Sequence, residues 1–463
     1  MASDSLCAAF DVRERGEFNE CQIPNTTSLP RSQIEFRIAQ LAPNRSVPIV
    51  VYDEGGNRAS LAARTLTEFG YERVLVLEGG LAAWRNEGRP TVSGVNVPSK
   101  AFGEKVHHER SIPEISAEEL NELQRLSSDL MILDVRTPEE YRRFCIPGGV
   151  NVPGGDLLLW AEELKRKRNA TIVVNCAGRT RSIIGTATLR RLGLTNVRAL
   201  KNGTMGWVLA GLDLEKDPAR TEPSAPPSSH AQAISLARQL AAEENIAWIS
   251  PPQVSSALAR MNEGVTYLID VRSAREYESG HVPGSLNMPG GQAVQRADDF
   301  IAVRNAQIIF ISNEAARAVM TAYWYRQMGF PNVSVLQGGL VAWSESGEML
   351  ATGALCNEPS GFEAAKRAAH YVDARSFART LHAPVLILDV GTSLDFETTH
   401  VAGAKWISRG WVDVKLPELF PDRNQTIVLT CPDGQQSTLA AQTLTEIGYT
   451  HVSVLDGGVQ AWS

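Results

Sequence analysis

The chain has 463 residues, which is too long for one hydrophobic core. At about 100–200 residues per domain, this length predicts three or four domains. The formal net charge of -7 excludes the basic footprint of a nucleic-acid-binding protein, so an anionic substrate would need local positive groups. No apolar run approaches the roughly 20 residues of a membrane span, and Met1–Phe10 lacks the features of a signal peptide. We therefore expect a cytoplasmic protein that binds neither nucleic acid nor membrane.

Four copies of one unit follow one another along the chain, and we call them domains 1 to 4. In each copy an Asp-Val pair follows an apolar run, an acidic–aromatic pair comes next, and a Gly-x-x-x-Trp turn closes the unit. The separation from Asp to Trp is 73 residues in every copy: Asp11 to Trp84, Asp134 to Trp207, Asp270 to Trp343 and Asp389 to Trp462. Identical spacing indicates a duplicated domain, and we place the copies at residues 1–90, 111–214, 230–350 and 368–463.

Strands and helices alternate within each copy. An apolar strand ends at a position 42 residues after the Asp, and a helix and another strand follow it. The predicted helices, each ended by a glycine, are Ala59–Phe69, Ser182–Leu192, Ala318–Met328 and Ser437–Ile447. The predicted strands after them are Arg73–Leu77, Val197–Leu200, Val333–Leu336 and Val452–Leu455. This alternation predicts an α/β fold, with a mainly parallel sheet flanked by helices in each of four tandem domains.

The copies differ in their connections. Domain 2 has a lead-in that predicts a strand, a helix capped by Ser116 with Glu119, and a second strand. Only ten residues precede Asp11, so the first strand and helix of domain 1 would be missing, supplied by another chain or lost from an upstream start; a truncated reading frame is our expectation. The proline-rich stretch Asp217–Ser229 predicts an exposed linker, and His230–Glu244 predicts an additional helix.

The loop that follows the strand in domain 2 carries the chemistry. The β-branched run Ile172–Val174 predicts a buried strand, and a helix is predicted from Ser182. Between them, Cys176 would face a helix N-terminus, successive backbone N–H groups and the guanidinium groups of Arg179 and Arg181, each of which favours the thiolate. The alternative is a buried structural cysteine before an ordinary helix, but two arginines so close to the thiol favour a nucleophile beside an anion site.

No metal or cofactor is expected. The six cysteines, at positions 7, 21, 145, 176, 356 and 431, form no Cys-x-x-Cys pair and are not grouped with histidines at zinc-ligand spacing. Disulfide bonds are equally unexpected for such scattered positions. For the thiols other than Cys176, a reduced and partly buried side chain is a sufficient interpretation.

The order of the motifs resembles the rhodanese domain: Asp-Val-Arg, Glu-Tyr, Gly280-His-Val-Pro-Gly284 in domain 3, a strand–cysteine loop–helix, and Gly-Gly-x-x-x-Trp. The resemblance covers essentially the whole chain, and multi-domain bacterial rhodanese-like sulfurtransferases are similar in organisation. It implies that the loop cysteine takes sulfane sulfur from thiosulfate, a small anionic donor, and carries it as a persulfide. The persulfide then passes its sulfur to a thiophilic acceptor such as cyanide or a thiol, without a cofactor.

Only domain 2 keeps the whole family site. Cys176 matches the family nucleophile, and the six-residue loop Cys176–Arg181 has the rhodanese length, one residue shorter than in related phosphatases. The resemblance makes the following residues substrate-binding: Ala177, Gly178, Arg179, Thr180, Arg181 and Ser182. The two small residues let the backbone N–H groups turn toward the sulfur, and the two arginines suit the sulfonate of thiosulfate. Mercaptopyruvate-type members, by contrast, typically have small uncharged residues here.

The other three domains depart from the family pattern. Asp53 and Ser312 replace the thiol in domains 1 and 3, so both domains are expected to be inactive as sulfurtransferases. Domain 4 keeps a thiol at Cys431, but its loop has no arginine, and the neighbouring Asp433 should oppose thiolate formation. Cys431 is therefore a possible secondary site with weak activity or none.

Three functions stay open at this point. The favoured one is a ping-pong thiosulfate sulfurtransferase with Cys176 as its nucleophile. The second is a persulfide carrier or scaffold, in which Cys176 relays sulfur to a protein acceptor and the inert domains bind partners or serve as structure. The third is a phosphatase or arsenate reductase on the same fold, which the short loop opposes. Asp134 and Arg136 could orient the loop, but a structural ion pair is the more common role.

Overall fold

The computed structural model describes residues 6–126, 129–167, 169–218, 227–260, 263–313, 315–354, 358–380 and 384–462. The chain divides into two compact units. One comprises Met1–Ala8 and Val92–Cys356, and so contains domains 2 and 3. The other comprises Ala9–Thr91 and Asn357–Ser463, and so contains domains 1 and 4.

Domain 1 has fewer strands than the others. Its elements are β1 Ala8–Asp11, α1 Arg15–Glu20, β2 Thr27–Ser28, the 3₁₀ turn Arg31–Gln33, α2 Ile34–Leu41, β3 Ile49–Tyr52, α3 Arg58–Glu68, β4 Val74–Val76 and α4 Gly80–Asn86. The strands form a parallel sheet in the order β2-β1-β3-β4. Among the described residues, nothing in this domain corresponds to the strand and helix that begin the other three.

Domain 2 follows a connecting helix, α5 Val97–Glu109. Its elements are β5 Glu114–Ile115, α6 Ala117–Leu126, β6 Leu130–Asp134, α7 Pro138–Arg143, β7 Val150–Asn151, the 3₁₀ turn Gly154–Asp156, α8 Leu157–Arg166, β8 Thr171–Asn175, α9 Thr180–Arg191, β9 Val197–Leu200 and α10 Gly203–Leu209. The five strands are parallel, in the order β5-β9-β8-β6-β7. The predicted capping box is present, because the backbone N–H of Glu119 donates to Ser116 Oγ at 3.1 Å.

Domain 3 has the same topology. Its elements are α11 Pro227–Glu243, β10 Ala247–Ile249, α12 Pro251–Ala259, β11 Thr266–Asp270, α13 Ala274–Ser279, β12 Leu286–Asn287, α14 Gly290–Gln295, α15 Ala297–Phe300, β13 Gln307–Ile311, α16 Ala315–Gln327, β14 Val333–Leu336 and α17 Gly339–Glu345. The strand order is β10-β14-β13-β11-β12. The predicted additional helix is α11; the linker predicted before it falls largely on residues 219–226, which lie outside the described residues.

Domain 4 repeats the five-stranded arrangement. Its elements are α18 Phe362–Ala368, β15 Tyr371–Val372, α19 Ala374–Thr380, β16 Leu386–Asp389, α20 Ser393–Thr398, β17 Lys405–Trp406, the 3₁₀ turn Arg409–Trp411, α21 Val412–Leu419, β18 Ile427–Thr430, α22 Gln435–Glu446, β19 Val452–Leu455 and α23 Gly458–Trp462. The strand order is β15-β19-β18-β16-β17, again parallel. The predicted α/β class with parallel sheets is therefore confirmed.

Burial on both faces of the sheet explains the continuous apolar run in β8. Ile172 and Val174 pack in a cluster on one face with Leu133 and Leu189, while Val173 packs on the other face with Trp207. A central parallel strand that is covered on both sides needs this composition. Trp207 is buried in this second cluster. Within the described part of the chain, no helix is both long and apolar enough to cross a bilayer.

The helices after the loops begin one to three residues earlier than the sequence pattern predicts, at Arg58, Thr180, Ala315 and Gln435. Their first turns are formed by loop residues that carry no apolar periodicity, and most of these residues are polar. The consequence in domain 2 is that Thr180 and Arg181 belong to α9 and not to an irregular loop. The helix therefore fixes the direction of the Arg181 side chain.

Candidate active site

Cys176 lies directly after β8, the middle strand of the domain 2 sheet, at the edge where the parallel strands end. Its side chain is buried, with 2% of the residue exposed. The hydroxyl of Ser182, in the first turn of α9, donates a hydrogen bond to Cys176 Sγ at 3.0 Å. Because Ser182 is completely buried, this donor has a fixed place beside the sulfur.

The N-terminal turn of α10 holds the loop. The backbone N–H of Thr204 donates to the carbonyl of Cys176 at 2.8 Å, and that of Met205 donates to the carbonyl of Ala177 at 3.1 Å. The loop carbonyls are thus turned toward α10. Among the described residues, the N–H groups of Ala177 and Gly178 have no hydrogen-bond acceptor, so these donors remain for a ligand.

Gly203 makes this contact possible. Its φ is +54°, and a Cβ atom built on it would lie 2.1 Å from the carbonyl oxygen of Cys176 and 2.6 Å from that of Gly178. We expect Gly203→Ala to lower the free energy of unfolding by roughly 3 kcal/mol or more, since positive-φ strain adds to a backbone clash. Denaturant unfolding of the purified variant measures this change.

Gly193 provides the matched control for that variant. Its φ is +94°, but nothing lies within 4 Å of a Cβ built there. Gly193→Ala should therefore cost only the conformational strain, about 1–2 kcal/mol. An equal loss in the two variants would show that the close approach of α10 to the loop is unimportant.

Domain 1 shows what such a loop can bind. The buried carboxylate of Asp53 stands where domain 2 has Cys176, and it accepts hydrogen bonds from the N–H groups of Gly55 at 2.8 Å, Gly56 at 3.1 Å and Ala59 at 3.0 Å. The loop of domain 1 is therefore an anion-binding nest, filled by its own side chain. At the positions of these three donors, domain 2 has the N–H groups of Gly178, Arg179 and Ser182.

Arg181 is buried beside the thiol and already has an acidic partner. Its two terminal nitrogens donate to the Glu140 carboxylate at 2.7 and 2.8 Å. Burial lowers the pKa of Arg181, but the hydrogen bond to Glu140 and the negative charge of Glu140 outweigh burial and raise it. Burial would likewise raise the pKa of Glu140, yet Arg181 lowers it to about 2. Both groups are therefore ionised at neutral pH.

Arg179 is held on the other side of the loop. It donates to Glu104 of α5 at 2.5 Å and also pairs with Glu114 of β5. Burial lowers the pKa of Arg179, but these two carboxylates outweigh burial and raise it. The sequence indicates two arginines available to a substrate anion, whereas the structure places carboxylate partners on both. Neither Glu104 nor Glu114 was identified from the sequence.

Glu104 also belongs to a group of possible metal ligands, although the sequence indicates no metal site. Its carboxylate and ring nitrogens of His107 and His108 lie within 4.8 Å of one another on α5. His107 Nε2 lies 3.3 Å from Glu114. Because Arg179 occupies both carboxylates, a cation at this place would have to compete with that guanidinium group.

Comparison with known proteins identifies the fold family. The family model for the rhodanese-like domain matches residues 1–87, 116–210, 253–346 and 373–463. The chain belongs to the rhodanese-like family. A crystal structure of a thiosulfate sulfurtransferase from Pseudomonas aeruginosa is 36% identical, with a TM-score of 0.91, and the match covers 99% of this chain and 86% of that one.

Two curated relatives match shorter regions. A thiosulfate sulfurtransferase of Azotobacter vinelandii is 33% identical over 170 residues, which are 36% of this chain and 58% of the relative. The putative sulfur carrier protein YrkF of Bacillus subtilis is 36% identical over 97 residues, which are 21% of this chain and 51% of the relative. Each match spans less than two thirds of the relative's length.

The other thiol among the rhodanese-like loops is held differently. Burial raises the pKa of Cys431, and the charge of Asp433 raises it further, in agreement with the sequence prediction. The thiol donates to the Asp433 carboxylate at 3.8 Å and contacts Ser437 Oγ at 3.3 Å. Cys431 thus has the same neighbouring serine as Cys176 but an acidic residue where Cys176 has Gly178.

Two further residues of the rhodanese-like motif form a buried ion pair. Arg136 Nη2 and Asp134 Oδ2 lie 2.7 Å apart, and the two side chains are each 1% exposed. Arg136 also donates to the carbonyl of Phe144 at 2.6 Å, which ties the strand end to the end of α7. The buried ion pair is therefore present, and it supports the edge of the sheet on which the loop is built. Asp134 also accepts a hydrogen bond from the side chain of Asn175, the residue before Cys176, at 3.1 Å.

Glu140 is the site neighbour that the sequence could have revealed. Three domains have a glutamate six residues after the Asp and an arginine 41 residues after that glutamate: Glu17 with Arg58, Glu140 with Arg181, and Glu276 with Arg317. All three pairs form ion pairs. Domain 4 lacks the arginine and has Gln436 in its place. The glutamate and the arginine occur together in three domains, and this pairing could have indicated from the sequence that they form an ion pair.

Proposed function

We propose that the chain is a thiosulfate sulfurtransferase, and that domain 2, residues 111–214, transfers sulfane sulfur through a persulfide on Cys176. The observation that carries this proposal is the pairing of a nucleophile with an anion nest. Cys176 occupies the position at which the domain 1 loop binds the Asp53 carboxylate through three N–H groups. Membership of the rhodanese-like family and the similarity to the Pseudomonas enzyme support the same reaction.

In the first half-reaction the thiolate of Cys176 attacks the outer sulfur of thiosulfate. A new sulfur–sulfur bond forms, the sulfur–sulfur bond of thiosulfate breaks, and sulfite leaves with the electron pair. The N–H groups of Gly178 and Ser182 stabilise the anionic persulfide, as fixed donors stabilise an oxyanion. Arg181 supplies positive charge where the dianionic donor binds and where sulfite departs.

In the second half-reaction an acceptor takes the outer sulfur. Cyanide attacks the terminal persulfide sulfur, the sulfur–sulfur bond breaks, thiocyanate forms, and the electron pair returns to Cys176 as a thiolate. A thiol acceptor would become a persulfide in the same way. We place this chemistry in the cytoplasm, where the scattered cysteines stay reduced.

Steady-state kinetics with thiosulfate and cyanide test this proposal. Thiocyanate should form, and double-reciprocal plots at several fixed cyanide concentrations should be parallel, because sulfite leaves before cyanide binds. Intersecting lines would contradict a covalent intermediate. Absence of thiocyanate would contradict thiosulfate as donor or cyanide as acceptor.

A persulfide carrier that serves a protein acceptor is the second candidate. The similarity to a putative sulfur carrier protein favours it, and so do the carboxylate partners of both loop arginines, which reduce the net charge offered to a small anion. A carrier would load sulfur but transfer it slowly to cyanide and to small thiols. Rapid turnover with those acceptors would oppose the carrier function.

A further inference from the structure

Domains 2 and 3 pack together through equivalent segments. The Gly154–Gly155 pair of domain 2 lies against the Gly290–Gly291 pair of domain 3, and a Cβ on Gly155 would lie 3.5 Å from the backbone of Gly290. This close approach brings the residue after each glycine pair to the other domain's arginine region. Asp156 of domain 2 and Gln292 of domain 3 occupy the same position in the repeat, 22 residues after the Asp of their own domain.

The two arginines at this interface have different surroundings. Arg317 of domain 3 pairs with its own Glu276 at 2.8 Å, and its Nε lies 2.6 Å from Asp156 of domain 2. Arg181 of domain 2 pairs with its own Glu140, but the residue that domain 3 contributes is a neutral amide, since Gln292 Nε2 donates to Glu140 Oε2 at 3.0 Å. One guanidinium group thus has two carboxylates, and the other has one.

The two arginines also differ in the surroundings of their Nε atoms. Its Nε is buried and has no hydrogen-bond partner among the described residues. The corresponding Nε of Arg317 lies 2.6 Å from the Asp156 carboxylate, in an ion-pair contact without hydrogen-bond geometry. Arg181 also lines a small cavity between domains 2 and 3, which includes Thr180, Gly291 and Trp324.

The paired domains 1 and 4 give a third version of the contact. Arg58 of domain 1 pairs with Glu17, and the residue that domain 4 contributes at the same repeat position is Trp411, whose ring centre lies 4.2 Å from the guanidinium carbon. The neighbouring domain therefore supplies the environment of this arginine in each case. The neighbouring domain supplies the acid Asp156 to domain 3, whose loop has a serine, and the aromatic Trp411 to domain 1, whose loop has an aspartate. It supplies the amide of Gln292 to domain 2, whose loop has Cys176.

We infer that Gln292 is a positioning residue of the Cys176 site, supplied by a domain that lacks a thiol. Its amide holds Glu140 in place without adding negative charge, so that Arg181 keeps positive charge for an anionic sulfur donor. This inference rests on the proposed function. It gives domain 3 a defined task, which is to complete the anion site of domain 2.

Aspartate and asparagine have the same size and differ in charge, so substituting each of them for Gln292 separates the effect of charge from the effect of a shorter side chain. Gln292→Asp introduces the carboxylate that domain 3 receives from Asp156, whereas Gln292→Asn shortens the side chain without charge. We expect Gln292→Asp to raise the KM for thiosulfate about tenfold relative to Gln292→Asn, with kcat changed far less, since a second carboxylate repels the dianion. Thermal unfolding of both variants checks that the domain interface is intact. Equal KM values in two folded variants would overturn the inference.

A second readout does not depend on sulfur transfer. The rates at which iodoacetate, an anion, and iodoacetamide, which is neutral, alkylate Cys176 can be followed by peptide mass spectrometry. The ratio of these rates should fall several-fold in Gln292→Asp and stay near the wild-type ratio in Gln292→Asn. An unchanged ratio in both would overturn the inference whether or not thiosulfate is the donor. Failure of wild-type protein to load sulfur, with the expected change in ratio, would contradict the proposed function alone.

Discussion

Replacement of Cys176 by serine is expected to lower kcat/KM for sulfur transfer from thiosulfate to cyanide by about 10³-fold or more. The hydroxyl is a far weaker nucleophile at neutral pH and cannot carry sulfane sulfur as a persulfide. Serine is sterically suitable, because domain 3 has Ser312 at the same position with 2% of the residue exposed. The loss should therefore reflect chemistry and not folding, which circular dichroism and thermal unfolding can check.

Cys431→Ser is the matched control. We expect that variant to keep wild-type kcat and KM within about twofold, because the buried Cys431 thiol donates to Asp433 and its pKa is raised. The account would be contradicted if Cys431→Ser lost as much activity as Cys176→Ser. It would also be contradicted if the Cys176 variant kept substantial turnover with thiosulfate.

Replacement of Arg181 by glutamine should lower kcat/KM for thiosulfate by roughly 10²–10³-fold, the range found when one fixed electrostatic donor is removed. The variant removes the positive charge beside the thiol and leaves the Glu140 carboxylate without its bidentate partner. Glutamine suits the position sterically, since domain 4 has Gln436 there. Inhibition by sulfite, the leaving group, should weaken in parallel.

The double variant Arg181→Gln with Glu140→Gln tests whether the loss of kcat/KM in Arg181→Gln is electrostatic in origin. Removing the uncompensated carboxylate should recover part of the lost kcat/KM, because the donor dianion no longer meets a negative charge. If the single variant kept full activity, Arg181 would have no role in donor binding. If the double variant were no better than the single one, the loss would come from packing and not from charge.

Local patterns were sufficient to predict the repeat, the mainly parallel α/β sheet of each domain and the loop that carries Cys176. The strands Val197–Leu200, Val333–Leu336 and Val452–Leu455 have the predicted bounds, because each is a short apolar run after a glycine that ends a helix. Those glycines, among them Gly193 and Gly448, have the positive φ that the pattern requires. Signals of this kind lie within a few residues of chain, so one sequence is enough to interpret them.

Contacts between distant segments were not predictable in the same way. Arg179 meets Glu104, 75 residues earlier, on a connecting helix that belongs to no repeat motif. Gln292 reaches Glu140 from another domain, 152 residues away. Both contacts depend on how helices and domains pack, and the local spacing of residues contains no information on that packing. The sequence analysis therefore identified Cys176, Arg179 and Arg181, but not the carboxylates that form ion pairs with the two arginines.

Intact mass spectrometry of the purified protein before and after thiosulfate tests the central claim most directly. The account predicts a gain of one sulfur atom in the wild type and in Cys431→Ser, no gain in Cys176→Ser, and reversal by cyanide. A sulfur atom that loads equally in Cys176→Ser would place the reaction elsewhere. No gain in the wild type would contradict the claim that Cys176 takes sulfane sulfur from thiosulfate.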